Sequence, residues 1–124
     1  MDKLLAGQAI LVVEDEMLVL LNIEDMLADL GCESVSAAST VDQALALIDA
    51  HAFDAAMVDV NLDGSKSYPV ADALASRGVP FVFSTGYSGH TLKDGYRDRP
   101  MLEKPYREAD LVEVLTRLLR PATL

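Results

Sequence analysis

The stretch "MVDVNLDG", residues 57–64, closes an apolar run with an aspartate and then turns. Asp59 is either the cap of a strand or a reactive group that the fold delivers to a strand end. The choice depends on what stands at the ends of the other apolar runs. These are "AILVV" (9–13), "SVSAA" (34–38), "AAMV" (55–58), "FVFS" (81–84) and "PML" (100–102). Each is too short for a helix, and most are apolar on both faces, as strands covered by helices on both sides are. Segments of helical spacing separate them, which predicts an α/β fold with a parallel sheet built from βα units.

The separating segments carry their own start and stop signals. Leu20, Ile23, Leu27 and Leu30 fall on one helical face, away from Asn22, Asp25 and Asp29, and Gly31 ends that helix. Thr40 and Gln43 resemble a capping box before a stripe of Ala44, Leu45, Leu47 and Ile48. A third helix is expected from about Pro69 to Gly78. The last shows Leu111, Val114, Leu115 and Leu118 at helical spacing and is closed by Pro121. Between them "GYSGHTLKDGY" has three glycines and little apolar periodicity, so a short or labile fourth helix is expected there.

A chain of 124 residues, 51% of them hydrophobic, suits one packed domain. Its 20 acidic and 10 basic residues give a net charge of −10, which disfavours nucleic acid and anionic membranes and favours cations or basic partner surfaces. No secretory signal and no membrane-length apolar stretch is present, so a cytoplasmic location is expected. Cys32 stands alone and reads as a small buried residue. His51 and His90 have no companion at ligand spacing and read as surface or loop residues.

In an open α/β sheet the reactive crevice lies at the carboxyl ends of the strands. Glu14 and Asp15 follow the first run, Asp59 the third, Thr85 the fourth, and Glu103 and Lys104 the fifth. Taken singly, each has a plain reading: turn, helix-dipole compensation, β-former or solvated lysine. Their joint occurrence at four of the five strand ends points to a centre. Converging carboxylates repel unless a proton or cation intervenes, and a hard, oxygen-liking Mg²⁺ resolves the conflict. Lys104 supplies a compact charge able to pair with Asp59 and then with a phosphoryl oxygen, and Thr85 supplies a hydroxyl donor. Asp59 is then the nucleophile.

"VVEDE", "MVDVNLDG", "FSTGY" and "LEKPY", in this order and spacing, resemble the receiver domain of two-component response regulators, over the whole chain. The resemblance implies a flavodoxin-like (βα)5 doubly wound sheet of five parallel strands in order 2-1-3-4-5. It also implies a single domain over residues 1–124 without an output domain. By the same resemblance Asp59 is the phosphoacceptor, and Glu14, Asp15, Asp59 and the Asn61 carbonyl hold Mg²⁺. Thr85 and Lys104 contact the phosphoryl group, and the bond before Pro105 is cis. "PFVFSTGY" (80–87) is similar to a narrower branch, the FAT GUY receivers, usually single-domain proteins of alphaproteobacterial stress signalling, with Ser84 in place of that motif's alanine. Receivers usually place Tyr or Phe three residues before the lysine as a rotating switch, and Met101 stands there. Met101 reads as a flexible core filler, and the signal is expected to pass through Tyr87 and the glycine-rich segment after it.

The expected partners are a histidine kinase or a histidine phosphotransfer protein, docking beside Asp59 and the first helix. A downstream protein is expected on the face of the fourth helix, fifth strand and fifth helix. Competing readings are a phosphorylation-independent scaffold, an aspartate-nucleophile phosphatase, and a nucleotide or flavin binder. The phosphatase needs a second acid where Asn61 stands, and the nucleotide binder needs a glycine-rich loop where "EDE" would repel phosphate.

Overall fold

The structure, a computed structural model, describes residues 4–62, 64–86 and 100–119. In chain order its elements are β1 (Ala9–Val13), α1 (Met17–Asp29), β2 (Ser34–Ala38), α2 (Val41–Ala50), β3 (Ala55–Asp59), β4 (Asn61–Leu62), β5 (Ser65–Lys66), α3 (Tyr68–Ser76), β6 (Phe81–Thr85), β7 (Met101–Glu103) and α4 (Glu108–Leu119). Five strands pair in parallel in the order β2-β1-β3-β6-β7, while β4 and β5 form a separate antiparallel hairpin. Counted along the large sheet alone, this is the expected order 2-1-3-4-5 of a flavodoxin-like fold.

Side-chain alternation sorts the central strands into two cores. Leu11, Val13, Ala56, Val58, Phe81 and Phe83 pack against Ala44 and Ile48 of α2 and Val70, Ala71 and Leu74 of α3. Ile10, Val12, Ala55, Met57, Val82 and Leu102 meet Ile23, Met26 and Leu27 of α1 and Leu111, Val114 and Leu115 of α4. The sheet is therefore covered on both faces, and β1, β3 and β6 read as continuous apolar runs for that reason. Cys32 belongs to the second core, and His51 is exposed.

Local signals act as the residues predict, with one variation. The Thr40 side chain accepts from the Gln43 amide at 3.1 Å, but the Gln43 side chain reaches back to the amide of Ser39, one residue earlier than in a capping box. Gly31 and Gly78, just past α1 and α3, have φ of 90° and 71°, a region open to glycine at no steric cost. Pro69 lies in the first turn of α3.

Strand ends differ from the sequence reading. Asp59 and Thr85 are the last residues of β3 and β6, not the first residues after them, and the last strand runs 101–103 in place of 100–102. Parallel pairing is indifferent to side-chain polarity, and it continues through Asp59↔Ser84 and Thr85↔Glu103. The expected fourth helix, Tyr87, His90 and Pro121 lie outside the described residues.

Burial separates two leucines of one helix: Leu27 is fully buried, whereas Leu18 is 81% exposed. Leu27→Ala is expected to cost about 2–5 kcal/mol, and Leu18→Ala less than about 0.5 kcal/mol. Urea unfolding checks both, as a large and a negligible shift in midpoint.

Candidate functional site: an acid and lysine centre at the carboxyl edge

Each site residue is held by a ladder bond that continues past its strand. The Glu14 amide donates to the Ala38 carbonyl at 2.9 Å, Val60 to Ser84 at 2.9 Å, and Lys104 to Thr85 at 2.7 Å. After Asp59 the chain is tied back on itself, because the amide and the hydroxyl of buried Ser67 both donate to the Val60 carbonyl. The Asn61 amide donates to Asp59 Oδ1 at 3.2 Å, which orients that carboxylate from behind. The Lys104–Pro105 peptide is cis.

These constraints bring four carboxylates together. Glu14, Asp15, Glu16 and Asp59 each offer an oxygen, all within 4.8 Å of one another. Glu14 is 1% and Asp59 5% exposed, so water screens their repulsion poorly. Lys104 answers it: its Nζ lies 2.7 Å from Glu14 Oε1, 3.0 Å from Asp59 Oδ2 and 3.5 Å from Glu16 Oε1. Glu14 Oε1 is near enough for that ion pair yet outside hydrogen-bond geometry, while Oε2 accepts from the Glu16 amide at 3.1 Å.

Burial pushes the Glu14 carboxyl up to about 7, an effect that Lys104 and the Glu16 amide oppose and the charge of Asp59 reinforces. Burial alone would lower the Lys104 ammonium, but its contacts with Glu14 and Asp59 outweigh this and hold it well above its ordinary value. An all-oxygen donor set with free lone pairs fits a hard divalent cation, and Mg²⁺ in particular accepts few carboxylates and keeps waters. A cleft of about 690 Å³, whose lining includes Asp15, Ser39, Thr40, Asp42, Leu62 and Ser65, opens beside Asp15.

Of the predicted site residues, Glu14, Asp15, Asp59 and Lys104 converge directly. Asn61 adjoins Asp59 through its amide, and Thr85 is buried at the end of β6 with its carbonyl on the Lys104 amide. Met101 is half-buried against the first core. Tyr87 lies outside the described residues. Two residues went unassigned in the sequence. Glu16 joins the acids although the run "EDE" reads as dipole compensation for α1. Tyr106 buries its hydroxyl without a hydrogen-bond partner among the described residues.

A doubly wound sheet that gathers acids and one lysine at its carboxyl edge has the architecture of a receiver. Residues 10–116 match the family model of the response regulator receiver domain, and the chain belongs to that family, whose members are signalling modules of two-component systems. The solution structure of SdrG from Sphingomonas melonis Fr1 is similar at 45% identity and a TM-score of 0.82, covering 91% of this chain and 97% of that one. That likeness supports the narrower single-domain branch. The receiver domain of sensor histidine kinase PA1611 from Pseudomonas aeruginosa PAO1, with a magnesium ion coordinated in its active-site cleft, is 28% identical at a TM-score of 0.77, covering 92% and 98%. The transcriptional regulatory protein PdtaR of Mycobacterium tuberculosis is 29% identical over 110 residues, 86% of this chain and 54% of its own length. The chain thus spans about half the length of the curated relatives it matches.

The raised Glu14 carboxyl has a stability signature. The folded state keeps a proton that the unfolded chain releases between about 4.5 and about 7, so this contribution is full below that window and is lost as pH rises through it. In thermal unfolding without divalent cations, wild type is expected to lose stability across the window relative to Glu14→Gln, in which the slope flattens.

Proposed function

We propose that Asp59 accepts a phosphoryl group from a phosphohistidine and that the phosphorylated chain acts by binding other proteins. The observation that carries this reading is the pairing of buried Asp59 Oδ2 with Lys104 Nζ at 3.0 Å inside a cluster of acids. A carboxylate so placed is neutralised enough to attack phosphorus, and the imidazole leaves as the new P–O bond forms. Lys104 pairs with Asp59 at rest and then follows the negative charge onto the phosphoryl oxygens. Thr85 donates its hydroxyl to another of those oxygens. Asp15, Asp59, Glu14 and the Asn61 carbonyl hold Mg²⁺, supported by the oxygen-rich cluster and by the magnesium in the PA1611 receiver. When bound, the ion neutralises charge on the transferring group.

The donor docks on α1. Met17, Leu18 and Leu21 are exposed at its start, 65%, 81% and 49% respectively, beside a groove of about 220 Å³ that Lys104, Pro105 and Tyr106 share. An apolar row ending at the reactive lysine suits the helices of a histidine kinase or a histidine phosphotransfer protein. Among the described residues no helix is long and apolar enough to cross a membrane, and a cytoplasmic kinase domain or phosphotransfer partner would place this chain in the cytoplasm. Output passes through the face of β7 and α4 with the segment between β6 and β7, in stress signalling by the likeness to the FAT GUY branch. The net charge of −10 favours a basic protein surface as target over nucleic acid.

Intact mass after acetyl phosphate tests the reading: a single Mg²⁺-dependent phosphoryl adduct is expected in wild type and none in Asp59→Asn. An adduct that persists in Asp59→Asn would sink it. Leu18→Asp separates docking from chemistry. Labelling by acetyl phosphate should be unchanged, while transfer from the partner kinase slows about tenfold, the scale of one apolar anchor.

A further inference from the structure

Tyr106 follows the cis Lys104–Pro105 bond, and its ring packs against the core between α1 and α4. Space lies on two sides of it. One groove is bounded by Leu18, Val19 and Ile23 of α1, and another of about 300 Å³ by Met101, Glu103 and Val114. The ring thus borders open space in both grooves.

The phenol oxygen is buried and has no hydrogen-bond partner among the described residues. A buried hydroxyl in that state costs free energy that phenylalanine, with the same shape, would not. Stability alone does not account for tyrosine here. Among the described residues the other buried side-chain oxygen in this condition is Glu14 Oε1, whose ion-pair partner there is the Lys104 ammonium at 2.7 Å. The two groups have Lys104 as a common neighbour: its ammonium contacts Glu14, and its side of the groove beside α1 is shared with Tyr106. Burial first, and then the charge of Glu14, keep the phenol protonated well above its ordinary range. Tyr106 is thus a neutral donor that shares Lys104 as a neighbour with a carboxylate dependent on that lysine.

Lys104 cannot serve every claimant at full strength. Its ammonium already spans Glu14, Asp59 and Glu16. A phosphoryl group on Asp59 adds charge at the position the lysine must then face, and its hold on Glu14 loosens. We infer that the Tyr106 hydroxyl is a positioning group for Glu14, idle while Lys104 neutralises that carboxylate and hydrogen-bonded to it once the lysine turns to the phosphoryl group. This rests on reading Asp59 as phosphoacceptor and Glu14 as part of the Mg²⁺ site. Outer hydrogen bonds of this kind fix the orientation of a ligating carboxylate, and their loss weakens metal binding by about tenfold or more.

The test is a Mg²⁺ titration of wild type and Tyr106→Phe, followed by amide NMR shifts, with and without beryllofluoride as the phosphoryl mimic. Tyr106→Phe is expected to melt no lower than wild type. The two proteins should bind Mg²⁺ alike without the mimic, and with it the variant should bind about tenfold more weakly. A purely structural tyrosine gives no mimic-dependent difference, so an equal affinity ratio in both conditions overturns the inference. A wild type that takes neither beryllofluoride nor a phosphoryl group from acetyl phosphate overturns the functional reading and this inference together. If wild type takes both and the variant matches it, only the role of Tyr106 falls.

Discussion

One ammonium group reconciles the acids that this sheet gathers at its carboxyl edge. Register places Glu14 after β1 and Asp59 at the end of β3, side by side and nearly without water. Two buried carboxylates in that relation repel strongly, because low dielectric magnifies their charge. Lys104 is the answer built into the chain, with Nζ within 3.0 Å of both. The pairing satisfies the geometry of three elements at once, since β1, β3 and the turn after β7 are all pinned through it. It is also partial: Glu14 retains a tendency to hold a proton and an oxygen outside hydrogen-bond geometry. A centre neutralised but not saturated is suited to exchanging partners.

The apolar cores serve the same end. Alternating side chains of β1, β3 and β6 fill both faces of the sheet, so the strands cannot slip by one residue without turning each core outward. Ladder bonds at Glu14, Val60 and Lys104 carry that rigidity past the last regular residues into the acids and the lysine. The burial that stabilises the fold thus fixes the separation of the charges, and positional precision at the edge comes from packing several residues away.

Much of this was legible in the residues. Apolar runs bounded by turn signals gave the strands, and polar residues at four of the five run ends gave Glu14, Asp15, Asp59, Thr85 and Lys104. What escaped has physical reasons. The β4–β5 hairpin has two residues per strand and no periodicity to read. Asp59 and Thr85 belong to their strands because the backbone ladder, unlike a hydropathy pattern, does not stop at a polar side chain. Glu16 has an ordinary use at a helix start, and only the folded chain shows its oxygen near Lys104. Tyr106 after a proline looks like core filling, and its ring does pack against the core; that its oxygen finds no partner among the described residues depends on packing against α1 and α4, which no local window contains.

The strand order has a consequence for how the molecule is made. β1 sits between β2 and β3, so the first half of the chain can assemble three adjoining strands and bring Glu14 and Asp59 together. The lysine that reconciles them follows β7, the last of the described strands in chain order. Until then a nascent sheet of this kind must relieve the two acids with a proton in place of the ammonium, which works against premature closure of the unfinished half. Long-range parallel pairing is slow in any case, and here electrostatics ties completion of the five-stranded sheet to arrival of β7 and its lysine.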